Sequence, residues 1–400
     1  MKGQRRLWSA VLAAVFALGT VVAVPQSASA ARVKSQIIFN NPLDRQGAKR
    51  IENKIYNLVK GARAGSSIRV SIYQFTNATR IADELIAADR RGVDVRVLAD
   101  TASTDRGATG GQPTGYERVL WALGPSKVTT CPKGRGCIGS NFNHTKFLLF
   151  SNTRGTKNVV VQSSQNLNAT GGTTTDWNDA VVFADAGSTY TAYRKYFDDL
   201  WSRKVIPDYW KKRGGPNSSP YATIQFFPKA DGDPVDNMLR NVRCSFTYKG
   251  RKGTTQVRIA MGSFSDKRDW LLRSLGALQR KGCQIEIIVT VVPTDASRTA
   301  VVVALRAAGI KVYDFSKYGS PNSMHSKYIL VQGQIGKQVG KWTWTGSANL
   351  TWSSLRQDDE IIIQLKKVGS LGPWKIHDLY RCNFRRAKAQ FLGKPMPCKG

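Results

Sequence analysis

The chain has 400 residues, with 60 Lys and Arg against 27 Asp and Glu, giving a formal charge of +33. Its 41% hydrophobic and 10% aromatic content excludes a disordered polymer, and its length exceeds one typical core, which points to two domains or two repeats. So large a positive excess excludes basic partners and points to polyanions: nucleic acid, anionic lipid headgroups or acidic wall polymers.

At the N-terminus Lys2, Arg5 and Arg6 precede an apolar run from Leu7 to Val24, then Pro25 and Ala28-Ser29-Ala30. This is the layout of a cleavable secretory signal over residues 1–30, so a secreted product is expected. Removing three positive charges from +33 leaves +30 on that product. No later stretch is long and apolar enough to span a bilayer, so no transmembrane segment is expected after cleavage.

Residues 68–75 alternate as a strand, 81–90 have helical spacing, and 92–98 form a second strand. Residues 101–141, rich in glycine and containing Cys131 and Cys137, read as an irregular insertion without a counterpart later in the chain. Around residues 214–222 the sequence turns polar and rich in Gly, Pro and Ser, a linker between halves 31–213 and 223–400. Beyond it the order repeats: a strand over 257–264, a helix through 279, a strand over 282–289. Phe75 matches Phe264 and Gly92 matches Gly282, so each half is β-α-β. The fold class is therefore α/β, two pseudo-repeated sandwich halves with mixed sheets flanked by helices. Cys131, Cys137, Cys244, Cys283, Cys382 and Cys398 suggest disulfides in an exported chain, and proximity pairs them 131–137, 244–283 and 382–398.

The chemistry lies after each β-α-β unit. Residues 143–150 begin Asn143-His144-Thr145-Lys146, and residues 324–331 begin Met324-His325-Ser326-Lys327. Strand alternation puts His and Lys two apart on one face. Each motif leads to a small polar turn, Ser163-Ser164-Gln165-Asn166 or Gly346-Ser347-Ala348-Asn349, whose donors can approach an anion. An acidic residue then heads an apolar strand, Asp179 in one half and Glu360 in the other, where it can hold a His ring nitrogen and fix its tautomer. Two of the chain's three histidines occupy equivalent places in the repeats, which leaves His377 as a structural histidine. No Cys-x-x-Cys spacing occurs, so no metal or other cofactor is expected.

The doubled pattern resembles the phospholipase D superfamily, whose motif is His-x-Lys, four residues, an Asp, and a downstream Gly-Ser-x-Asn. Ser151 and Gln332 stand where that Asp is found, and Ser163 stands where the first turn has Gly. The resemblance implies a phospholipase D-like fold and one site built from both halves. It implies His144 as nucleophile, His325 as acid and base, and Lys146, Lys327, Asn166 and Asn349 on the phosphate, with Asp179 and Glu360 behind the rings and Ser164 and Ser347 in substrate binding. The activity it implies is a secreted, monomeric phospholipase D that hydrolyses phospholipid diesters through a phosphohistidine. The alternative is a metal-independent endonuclease acting on DNA or RNA, and the third reading is an inactive polyanion-binding module.

Overall fold

The structure, a computed structural model, describes residues 31–44, 46–168, 176–290, 296–318 and 322–398. The leader expected at 1–30 lies outside them. Among the described residues no helix is long and apolar enough to cross a membrane.

The first half runs β1 (Gln36–Phe39), α1 (Arg50–Lys60), β2 (Ser67–Ile72), α2 (Thr79–Arg90), β3 (Asp94–Ala99), α3 (Gly115–Leu123) and β4 (Val128–Thr130). It continues with β5 (Lys146–Thr153), β6 (Thr156–Ser163), β7 (Asp179–Phe183) and α4 (Gly187–Ser202). After α5 (Tyr209–Lys212) come β8 (Asn217–Ser218), β9 (Ala222–Phe226), α6 (Pro234–Arg240), β10 (Val242–Arg243), β11 (Ser245–Tyr248) and β12 (Arg251–Thr254). The rest is β13 (Gln256–Met261), α7 (Asp269–Arg280), β14 (Gln284–Val289), α8 (Ala296–Ala307), β15 (Lys311–Asp314), β16 (Lys327–Ile335), β17 (Gln338–Gly346), α9 (Trp352–Arg356), β18 (Ile361–Leu365) and α10 (Pro373–Leu392).

The two sheets have one strand order. The first reads β1-β7-β6-β5-β2-β3-β4 and the second β9-β18-β17-β16-β13-β14-β15, with β8 added beside β9 and β10 on β16. In both, the β-α-β strands pair in parallel and the rest antiparallel, so each sheet is mixed. Helices α1 to α3 cover the outer face of the first sheet, burying Ile51, Ile55, Leu58 and Val59 of α1 at helical spacing. Helices α6 to α8 do the same for the second. The inner faces share a core with α4 and α10, where Tyr196 meets Phe226 at 4.3 Å between ring centroids and Phe39 meets Tyr380 at 4.9 Å.

Two expectations need correction. Residues 101–141 do have a counterpart, because α3 and β4 occupy the places of α8 and β15. The glycine-rich turns before α3 obscure a short helix whose clearest local signal is the Thr114/Glu117 capping box. Residues 214–222 are only partly a linker: the chain turns at Gly214 and Gly215, with φ of +76° and +84°, and then supplies β8 and the start of β9.

All three expected disulfides are present, Cys131–Cys137, Cys244–Cys283 and Cys382–Cys398. The second closes the longest loop, a sequence separation of 39. Cys244→Ser with Cys283→Ser is expected to cost about 3–4 kcal/mol through the freed entropy of the unfolded chain. A urea melt with an unshifted midpoint would contradict this.

Candidate active site

Both His-x-Lys motifs sit at the ends of their sheets where β5 and β16 begin, with each histidine just ahead of its strand. Asn143 forms a short parallel bridge with Asp359, and Met324 with Trp177, so each motif is stitched to the other half. His144 N–H donates to the Asp359 carbonyl at 3.1 Å and His325 N–H to the Trp177 carbonyl at 3.0 Å.

The side chains cross over in the same way. His144 Nδ1 lies 2.7 Å from Glu360 Oε1, and Ser347 Oγ donates to the other Glu360 oxygen. His325 Nδ1 lies 3.0 Å from Asn178 Oδ1, and Ser164 Oγ donates to that same oxygen at 2.9 Å. Each ring is thus held by the opposite half, and Nε2 is the nitrogen left to face a substrate.

This geometry corrects two residue assignments. Asp179 does not hold His325: its carboxylate accepts from Thr345 Oγ1 and, at 2.9 Å, from Tyr380 OH, and the ring goes to its neighbour Asn178. In a strand, adjacent side chains face opposite ways, so a one-residue offset moves the contact to the other face. The hydroxyls of Ser164 and Ser347 are buried behind the rings, on Asn178 and Glu360, rather than turned toward a ligand.

Lys146 and Lys327 are buried and donate to the carbonyls of their own histidines, Lys146 at 2.8 Å. Asn166 is buried with Nδ2 3.2 Å from Gln74 Oε1, and Lys327 Nζ and Asn349 Oδ1 both face Gly262, 2.6 and 3.2 Å from where a Cβ would stand. Burial, then the neighbouring lysines, pushes His144 and His325 well below the ordinary imidazole range. Burial also lowers Lys146 far from its usual value and Lys327 to about 8, while it raises Glu360 to about 7. An anion placed between these groups would favour the charged forms of the histidines and lysines, opposing the effect of burial. His377 lies in α10, fully buried and held at about 4 by desolvation, apart from this cluster.

The replaced motif positions stand far from the chemistry. Ser151 and Gln332 are five residues along their strands from the lysines, roughly 16 Å. Ser151 Oγ accepts from Ser67 N–H at 2.7 Å, a scaffold bond between strands. Gly346, at φ +146°, could not carry a side chain without striking the Ile361 carbonyl, whereas Ser163 fits and its hydroxyl accepts from Gln165 N–H at 2.9 Å.

Sequence reasoning missed three features. Asp359 accepts the N–H groups of Cys137, Ile138 and Gly139 at 2.6, 3.2 and 2.7 Å, docking the Cys131–Cys137 loop against the site. Among the described residues, Cys131, Cys137 and Asp359 have metal-ligand spacing, but both sulfurs are spent in the disulfide. The Tyr73 ring lies 4.9 Å from His144, tilted by 60°, and meets the exposed Phe142 edge-on at 5.9 Å. Its counterpart is Gly262, where a Cβ would stand 2.6 Å from Lys327 Nζ, so the His144 side is aromatic and the His325 side bare. Comparing β2 with β13 residue by residue would have exposed that difference.

Two mixed sheets related by an internal repeat, meeting at paired His-x-Lys motifs, define a phospholipase D-type fold. The sequence matches the family model described as cardiolipin synthase, phospholipase D-like domain, over residues 55–201 and 251–388. The chain belongs to that phospholipase D-like family. No curated protein matches it. Among solved structures it is similar to phosphatidylserine synthase from Haemophilus influenzae, at TM-score 0.56 and 14% identity, covering 86% of this chain and 85% of that one. It is also similar to polyphosphate kinase from Porphyromonas gingivalis, at TM-score 0.52 and 15% identity, covering 88% of this chain. The chain spans 50% of that kinase's length.

Proposed function

We propose that this protein is an exported, metal-independent phosphodiesterase working in two steps through a phosphohistidine. The observation that carries the reading is the unequal holding of the two rings, His144 by a carboxylate and His325 by an amide. A carboxylate on Nδ1 stabilises positive charge on the ring, which suits a nitrogen that must bond to phosphorus. An amide stabilises imidazolium less and leaves a readier proton donor.

His144 Nε2 attacks phosphorus, the bond to the leaving oxygen breaks, and His325 gives that oxygen its proton. His325 then takes a proton from water, whose oxygen attacks phosphorus and displaces His144. Lys146, Lys327, Asn166 and Asn349 neutralise the non-bridging oxygens. The family resemblance makes phospholipid the first substrate reading. Nucleic acid is the second, favoured by a basic hairpin in the second half, β11–β12.

The test offers purified protein phosphatidylcholine vesicles and plasmid DNA in parallel, with and without EDTA. Turnover is expected to survive the chelator, because the clamp is made of Lys and Asn. Choline release without nicking selects the lipase and nicking without choline release the nuclease. Activity lost in EDTA and restored by a divalent ion would overturn the site, and no activity at all would leave a binding module.

A further inference from the structure

The repeat exposes one elaboration that the fold does not require. In the first half, α1 ends at Lys60 and β2 starts at Ser67, a tight connection. In the second, the equivalent stretch between Arg240 and Gln256 carries β10 and the hairpin β11–β12. From Asn241 to Gln256 it holds Arg243, Lys249, Arg251 and Lys252 and no acidic residue. These four side chains are exposed, and among the described residues none of them makes an ion pair.

The arm is rigid at its base. β10 pairs with the end of β16, Val242 opposite Ile335 and Arg243 opposite Gln334. Thr255 N–H donates to the Cys244 carbonyl at 2.8 Å, and Cys244 is disulfide-bonded to Cys283. The arm is also remote from the catalytic centre: β16 runs from Lys327 to Ile335, eight steps and roughly 26 Å.

We propose that this hairpin is an anchor for single-stranded nucleic acid, holding a flexible phosphodiester chain whose other end reaches the catalytic lysines. The inference deepens the second substrate reading and rests on it for the link to catalysis. Unpaired cations held on a preorganised arm attract a chain of phosphates at low ordering cost. Tyr248, 44% exposed beside Lys249, offers a face on which a base can stack. A membrane fits less well, because Ser245, Thr247 and Thr254 are polar and exposed and the Phe246 ring is folded onto Gly253, leaving no apolar face to insert.

The experiment compares the whole protein with the variant Lys249→Gln/Arg251→Gln/Lys252→Gln. Binding is measured across a salt series to oligothymidylates of about 30 and about 4 nucleotides, and to vesicles of equal phosphatidylglycerol and phosphatidylcholine. Loss of three contacts is expected to weaken the longer oligomer at least roughly tenfold and to lower the slope of log affinity against log salt by about 2. The short oligomer, the vesicles and the turnover of bis(4-nitrophenyl) phosphate should be unchanged. The charge-conserving variant Lys249→Arg/Lys252→Arg should bind as the parent does, which separates loss of charge from loss of folding. Unaltered binding of the longer oligomer would overturn the proposal, and so would an effect seen on vesicles, alone or as well. Failure of the parent to cleave the small diester would instead sink the catalytic reading while leaving the anchor result to stand.

Discussion

His144→Ala is expected to lower turnover by about 10⁵-fold or more and to abolish any trapped phosphoenzyme, because the nitrogen that bonds to phosphorus is gone. His325→Ala should slow turnover by roughly 10²–10⁴-fold, the usual worth of a positioned acid and base. It should still accumulate an adduct on His144 from an aryl diester, whose leaving group departs without a proton. Acid-quench mass spectrometry of both variants reads the two outcomes directly. The expectation follows from the partners: Glu360 on His144, Asn178 on His325. An adduct on His325 in the His144 variant, with none on His144 in the other, would reverse the roles and keep the crossed site.

The second large effect is on pH dependence. With Glu360 ionised, Nδ1–H of His144 can donate to it across the 2.7 Å contact, which leaves the Nε2 lone pair toward the substrate. Burial raises Glu360 to about 7, so as pH falls below this the carboxyl gains a proton and the favoured tautomer is lost. On the other side, Lys327 is lowered to about 8, so as pH rises above this the clamp loses a positive charge. His325, the proposed proton donor, is held well below the ordinary imidazole range. The kcat/KM profile is therefore expected to fall on the acid side as Glu360 is protonated and on the alkaline side as His325 loses its proton. This places the maximum below about 7, with a further fall above about 8 as the charge of Lys327 is lost. Glu360→Gln should cost roughly 10³–10⁴-fold in kcat, since an amide can turn its NH₂ toward Nδ1 and impose the wrong tautomer. A broad profile unchanged in that variant would remove Glu360 from its place behind the nucleophile.

The repeat, the β-α-β order and the three disulfides were readable because each leaves a local mark: period-two strands, glycines at matching turns, cysteines close in sequence. The recurrence of His-x-Lys and of the turn after it is what singled out His144, Lys146, Asn166, His325, Lys327 and Asn349 as candidates. What stayed hidden depends on contacts across the halves. That Glu360 serves the other half's histidine cannot be inferred from spacing within either half. The choice of Asn178 over Asp179 turns on which of two adjacent residues faces inward, a single step of the pleat. Asp359 gave no local sign of its role, because its partners are the backbone N–H groups of Cys137, Ile138 and Gly139, and an N–H group carries no residue signature.

The crossed bonds would make the proposed activity its own safety catch. A chain whose first half has folded alone has His144 without Glu360, and a second half alone has His325 without Asn178. Neither fragment has its ring held by its partner, so the paired arrangement on which the proposed reaction depends forms only when the two sheets dock. Latency of this kind needs no inhibitory segment and no activating cut.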